Sequence, residues 1–322
     1  MMNIQKLIDL LKSGKKKYIS RAISLVENED PIAIELLKNI HKTVGKAYRI
    51  GITGPPGAGK STITNELTKL LLQKNKSVGI IAIDPTSPFT GGAVLGDRIR
   101  MNEIGLNENV FIRSMATRGS LGGLSRKTID AADVIDSANF DYIIFETVGV
   151  GQSELDIAKT ADTTLVALVP ESGDSVQAMK AGLMEIADFF VMNKSDRPGA
   201  DTAILSLQTT LMLKDHDENT YLPKVLKSVA SEGRGIEEIL EEVEAHRKYI
   251  EESVVFTQRR KRINKIRIKE IVENFVSNDI WNDDRKEILS KELELITNSD
   301  LSPYQSAERI IKHYKEDILY NK

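Results

Sequence analysis

The 322-residue chain contains no cysteine, which excludes disulfides, thiolate metal sites and cysteine nucleophiles and suits a reducing compartment. Its four histidines, His41, His216, His246 and His313, are scattered. No two have metal-ligand spacing, so each reads as a surface or packing residue. A strong charge of either sign is missing too. The net charge of -3 gives no electrostatic footprint for nucleic acid or a membrane surface as partner. No apolar run approaches the ~20 residues of a membrane span. Gln5, Lys6, Asp9 and Lys12 interrupt the first stretch, so no signal-peptide core is expected, and a cytoplasmic location is. What remains is ordinary for a globular protein: 41% hydrophobic and 28% charged residues, enough for about one to two domains.

Residues 1–45 read as a helical extension. Ile19, Ala22, Ile23 and Val26 recur at helical spacing, and Asp30-Pro31 matches an N-cap followed by proline at the first helical position. From 46 to 248 the pattern changes. Short apolar runs are Tyr48 to Thr53, Val78 to Ile83, Val110 to Ser114, Tyr142 to Phe145, Thr164 to Val169, Phe189 to Met192 and Val225 to Val229, with amphipathic stretches between them. Such alternation predicts an α/β fold, a mainly parallel sheet with helices on both faces. From 249 to 322 the helical period returns. Ile268, Ile271, Val272, Phe275 and Val276 form an apolar stripe, and Ser302-Pro303-Tyr304-Gln305 matches a capping box. This tail is expected to pack on the main domain or on a second copy. The basic run from Arg259 to Lys269 interleaves with apolar residues and reads as a solvated helix face.

Gly54-Pro55-Pro56-Gly57-Ala58-Gly59-Lys60-Ser61 fits GxxxxGK[ST] after an expected strand and before an expected helix. Its glycines let backbone N–H groups turn inward around phosphate oxygens, and the helix N-terminus adds positive potential. Lys60 would neutralise the β- and γ-phosphates and Ser61 would bind magnesium, with Thr62 a further nucleotide contact. Asn193-Lys194-Ser195-Asp196 follows another apolar run. The Asp196 carboxylate can accept from guanine N1–H and the 2-amino group, a pair of donors that adenine lacks. Ser228-Val229-Ala230 sits where a loop would support the guanine ring. Asp141 to Thr147 is a buried strand carrying a carboxylate near its end, and Glu146-Thr147-Val148-Gly149 stands in place of the usual D-x-x-G switch. The N–H of Gly149 could meet the γ-phosphate and Glu146 could hold magnesium through water. Asp84 is a second magnesium-side carboxylate or part of an Asp-Pro turn. Many GTPases place a water-orienting Gln directly after the switch glycine. Here Val150 stands there and Gln152 comes later, so slow unaided hydrolysis is expected.

Together with Ser20-Arg21-Ala22-Ile23-Ser24-Leu25-Val26-Glu27, Ala82-Ile83-Asp84-Pro85-Thr86-Ser87, Gly91 to Met101, Thr117 to Gly123 and Glu146 to Glu154, these motifs resemble the methylmalonyl-CoA mutase-associated GTPase chaperones, the MeaB/ArgK family, over nearly the whole chain. The resemblance implies a dimeric GTPase of the class that includes signal-recognition and nickel-insertion GTPases. It also implies GTP/GDP and Mg2+ as ligands and a cobalamin-dependent acyl-CoA mutase as partner, whose adenosylcobalamin loading the GTPase gates and which it protects or reactivates. It carries magnesium and phosphate roles to Asp84, Asp97 and Glu146. It also assigns a third switch to Glu171 through Lys180, with Lys180 its active-site lysine. That segment departs from the commoner Gly-Ala-Gly-Asp-Glu-Leu-Gln pattern at its first residues and after Asp174. The older family name keeps an alternative open, a nucleotide-dependent kinase or ATPase acting on an amino-acid transport binding protein. A nickel chaperone would need a His/Cys-rich region, and a signal-recognition GTPase a Met-rich domain, but no Met follows Met212.

Overall fold

Four segments are buried at every residue: Tyr48–Thr53 (β1), Tyr142–Thr147 (β4), Thr163–Leu168 (β5) and Phe189–Met192 (β6). Strands buried on both faces belong to a parallel sheet clothed by helices. A computed structural model describes residues 4–85, 102–117, 123–147, 157–172, 182–213, 221–297 and 301–320. In it Val78–Pro85 (β2), Val110–Thr117 (β3) and Val225–Lys227 (β7) complete a seven-stranded sheet of order β3-β2-β4-β1-β5-β6-β7. Every pairing is parallel. The expected α/β architecture is therefore the observed one.

The chain divides into two compact units, Met1–Ile263 and Asn264–Lys322. In the first unit, α1 (Ile4–Leu11), α2 (Lys16–Glu27) and α3 (Pro31–Ile40) lie on the same side of the sheet as α5 (Gly123–Ser137). Ile19, Ile23 and Leu36 are fully buried with Ala131, Ile135, Ile143 and Phe145. Each such side chain contributes roughly 1.5–3 kcal/mol by burial, so this extension is part of the main core. Asp30 caps α3 as its sequence suggests, accepting from Ile32 N at 2.9 Å ahead of Pro31. Asp136 on α5 accepts from Gly45 N at 2.7 Å and Ala47 N at 3.1 Å, which fixes the link into β1.

The other face holds α4 (Lys60–Gln73) and the helix Ile236–Glu252, whose Ile63, Leu67, Ile239 and Val243 meet Ile50, Ile52, Ile80 and Ile144. In the second unit the reciprocal cap at Ser302 is formed: Gln305 N donates to Ser302 Oγ at 3.3 Å and Ser302 N to Gln305 Oε1 at 2.9 Å. Buried Arg285 joins that unit's helices. It donates to the carbonyls of Ile280 and Asp279 at 2.5 and 2.6 Å and also pairs with Asp317. Among the described residues no helix is long and apolar enough to cross a membrane.

Candidate functional site

In an open parallel sheet, ligands bind beyond the carboxyl ends of the strands. The loop from Gly54 to Gly59 stands there, between β1 and α4. Gly54, Gly57 and Gly59 have φ of 135°, 76° and 85°, values that side-chain-bearing residues avoid. Two of them have no room for a side chain either. A Cβ on Gly54 would lie 2.1 Å from Ala167 O, and one on Gly59 would lie 2.2 Å from Asn193 Nδ2. The glycines of this loop thus answer to contacts with β5 and with the loop after β6. Gly59 ends the loop and α4 begins at Lys60, so the first N–H groups of that helix face the loop's mouth. Lys60 is buried, and its ammonium donates to Gly54 O at 2.8 Å and Pro55 O at 3.0 Å.

Ser61, on the first turn of α4, donates its hydroxyl to Glu146 Oε1 on β4. The two are far apart in sequence and meet because β1 lies beside β4. Glu146 is 1% exposed. Next to it Thr147 Oγ1 donates to Thr53 Oγ1 at 3.0 Å, which ties the ends of β4 and β1. A hydroxyl and a carboxylate at one point form an all-oxygen donor set, the kind that suits a small hard cation such as Mg2+. The β2 backbone adds a third position: Ile83 pairs with Thr147 and Ala82 with Glu146, which leaves Asp84 at the same end of the sheet. Asp97, Gly149 and Lys180 lie outside the described residues.

On the other side of the phosphate loop, Asn193 acts as a strut. Its Nδ2 donates to Ala58 O at 2.9 Å. Its Oδ1 accepts from Ser228 Oγ at 3.1 Å and from Ala230 N at 3.0 Å. One buried side chain therefore joins the phosphate loop, the Asn193–Asp196 turn and the loop Ser228–Ala230. Ser195 closes the arrangement, donating from both N and Oγ to Ser228 O at 3.0 Å. Lys194 takes a left-handed φ of 56°, and Arg197 N donates back to Lys194 O at 3.1 Å. This turn leaves Asp196 exposed at the surface. Ser228, Val229 and Ala230 are buried, and Val229 pairs with Arg234 across a short antiparallel bridge.

Two features of this region escape a reading of motifs. Glu171, on the turn Pro170–Ser172 after β5, pairs with Arg197 at 2.5 Å. Arg197 holds its carboxyl below the usual carboxylate range. At the opposite edge of the sheet, Arg259 and Arg260 are engaged by acids. Arg259 donates to Asp188 Oδ1 at 2.6 Å and Oδ2 at 3.0 Å, and Arg260 grips both oxygens of Asp162 at 2.7 and 2.5 Å. For these two arginines the solvated-face reading is wrong. Asp162 and Asp188 stand just before β5 and β6 and are nearly water-free, so their carboxylates require cationic partners.

The glycine-rich loop before α4 is thus joined through Asn193 to the turns at 193–196 and 228–230, and comparison with known proteins fixes the family. The model of the family described as methylmalonyl Co-A mutase-associated GTPase MeaB matches residues 19–285. The chain belongs to the MeaB family. Like that family it is a GTPase, with a guanine nucleotide as its substrate. A Pyrococcus abyssi protein named as a GTPase is 45% identical to it over 96% of each chain. The methylmalonic aciduria type A homolog of Caenorhabditis elegans is 34% identical, covering 74% of this chain and 64% of that protein. Among solved structures, the one described as LAO/AO transport system kinase superposes with a TM-score of 0.73 at 27% identity, over 98% of this chain and 99% of that one.

Proposed function

We propose that this MeaB-family GTPase is a cytoplasmic homodimer that gates adenosylcobalamin loading of a cobalamin-dependent acyl-CoA mutase of the methylmalonyl-CoA type and protects or reactivates that enzyme. The observation that carries the nucleotide half is the Asn193 strut, which joins the phosphate loop to the turn bearing Asp196. Support for the partner comes from the family's description and the name of the nematode relative. Support for dimerisation comes from the helical tail, where Ile268, Ile271, Val272 and Phe275 are 45–73% exposed, more apolar surface than a short tail usually leaves to water.

In this reading Lys60 turns from the loop's carbonyls to the β- and γ-phosphates, and the N–H groups of Gly57 to Ser61 line the phosphate chain. Ser61 and Glu146, with Asp84 and Asp97, would hold Mg2+, which neutralises charge on the transferring phosphoryl group. Asp196 accepts from the guanine edge while Ser228 to Ala230 back the ring. Gly149 N–H meets the γ-phosphate. The Val150 side chain has no polar atom to orient the attacking water, so unaided turnover is slow. The partner raises it by bringing Lys180 to the developing charge.

Single-turnover hydrolysis of GTP with and without the mutase, on samples sized by light scattering, tests this. The expected result is a dimer that the mutase accelerates, with most of the acceleration lost in Lys180→Ala. A monomer at micromolar concentration, or a variant stimulated as strongly as the parent, would contradict it. Phosphate appearing on a protein acceptor in place of free phosphate would favour the kinase reading suggested by the name of the solved relative.

A further inference from the structure

The contact between Arg197 and Glu171 joins two loops that the nucleotide site needs in a fixed relation. Arg197 directly follows Asp196, and its own N–H closes the turn onto Lys194 O at 3.1 Å. Ser195 pins the same turn to Ser228 O. The backbone carrying the Arg197 guanidinium is thus set by the Asp196 turn. Glu171 stands on the turn after β5. β5 and β6 are neighbours in register, Leu168 against Met192, so the two turns emerge side by side at the ligand edge of the sheet. Arg197 Nη1 donates to Glu171 Oε1 at 2.5 Å, and Lys194 adds a second positive charge that favours the ionised carboxylate. Among the described residues, these two charges facing Glu171 both come from the turn bearing Asp196.

We propose that Arg197 and Glu171 form a latch that holds the turn after β5 against the base-reading turn, and that this latch slows release of guanine nucleotide. The inference rests on the reading of Asp196 as the guanine acceptor. Both side chains are about half exposed, at 45% and 52%, so the pair is a weak, salt-sensitive fastener. Its coupling works in both directions: whatever the latch adds to the closed arrangement of the two turns, a base seated against Asp196 adds to the latch.

Charge alone and a latch predict opposite signs at Glu171. Removing a carboxylate near an anionic nucleotide would slow its release if only the through-space field mattered. Loss of a latch would speed it, as loss of Arg197 would. The experiment is dissociation of a fluorescent GDP analogue from the full-length protein, chased with GDP, for wild type, R197A, E171Q, the double variant and the charge swap R197E/E171R. Thermal melts check that each variant is folded. Each single variant should release the analogue about three- to fivefold faster, the range available to an exposed ion pair. The double variant should be no faster than the faster single one, and the swap should recover at least half of the loss. In ~1 M salt, where screening reaches within about 3 Å, wild type should approach the variants. Slower release from E171Q, additive effects in the double variant, or a swap no better than the single variants would overturn the latch. Calorimetry with GDP and ADP separates that failure from failure of the base reading. Equal affinity of wild type for both would remove Asp196 as the guanine reader, whereas a clear GDP preference with unchanged release in every variant would sink the latch alone.

Discussion

Lys60 and Asn193 show how much of the site depends on single side chains. The ammonium of Lys60 rests on Gly54 O and Pro55 O, acceptors it can leave for phosphate oxygens without any change in the sheet. Lys60→Ala should therefore abolish GTP hydrolysis while circular dichroism and the thermal midpoint stay close to those of the parent. Normal turnover by a folded variant would mean that this loop does not act on phosphate. The two loops could be read from sequence because each is a contiguous motif with a demanding spacing. The contacts between them could not. Ser61 meets Glu146 only because β1 lies beside β4, and Asn193 reaches Ala58 only because β6 lies one strand beyond β5. Glu171 is legible only as the start of the assigned third switch, and its pairing with Arg197 appears once the sheet order brings their turns together.

At the scale of elements, the apolar runs locate each of the described strands, but some stop short where strands approach the ligand edge. β2 continues through Asp84-Pro85 and β3 through Thr117, still paired in register, Asp84 against Ala116 and Pro85 against Thr117. The backbone ladder outlasts the hydrophobic pattern because the main chain still needs hydrogen-bond partners where the residues are no longer apolar. β7 ends earlier than its apolar run. Ser228 N still donates to Met192 O at 2.9 Å, but Val229 turns to Arg234.

At the far ends of β5 and β6 the arginine clamp gives a prediction about acid stability. Burial alone would raise the Asp188 carboxyl, but hydrogen bonds from His246 and Arg259 outweigh it and hold the group at about 2, against an ordinary 3.8. A carboxyl lowered in the folded state stabilises the protein above its unfolded value, and that stability fades as pH falls from about 4 through about 2. The contribution at neutral pH is about 2 kcal/mol. Asp188→Asn should lower the urea midpoint at pH 7 and flatten its decline between about pH 4 and 2.5. Parallel acid profiles for the two proteins would show that Asp188 does not carry this linkage.

At the scale of the whole molecule, composition pointed only to a globular protein, mainly by what it excludes, and the nucleotide reading came from the motifs. The N-terminal helices complete the main core, with Ile19, Ala22 and Ile23 fully buried. The second unit buries few large side chains and leaves Ile268, Phe275 and Leu293 more than half exposed. In the proposed reading, nucleotide is recognised at one edge of the sheet, where the phosphate loop and the turn bearing Asp196 share Asn193. The most direct test of that account is calorimetric titration of wild type and Asp196→Asn with GDP, ADP and XDP. Wild type should prefer GDP over ADP by at least about a hundredfold, the scale on which a site built around specific donors rejects a base that lacks them. Asp196→Asn should lose GDP affinity and gain XDP affinity. Equal binding of GDP and ADP by wild type, or a variant with unchanged base preference, would contradict it.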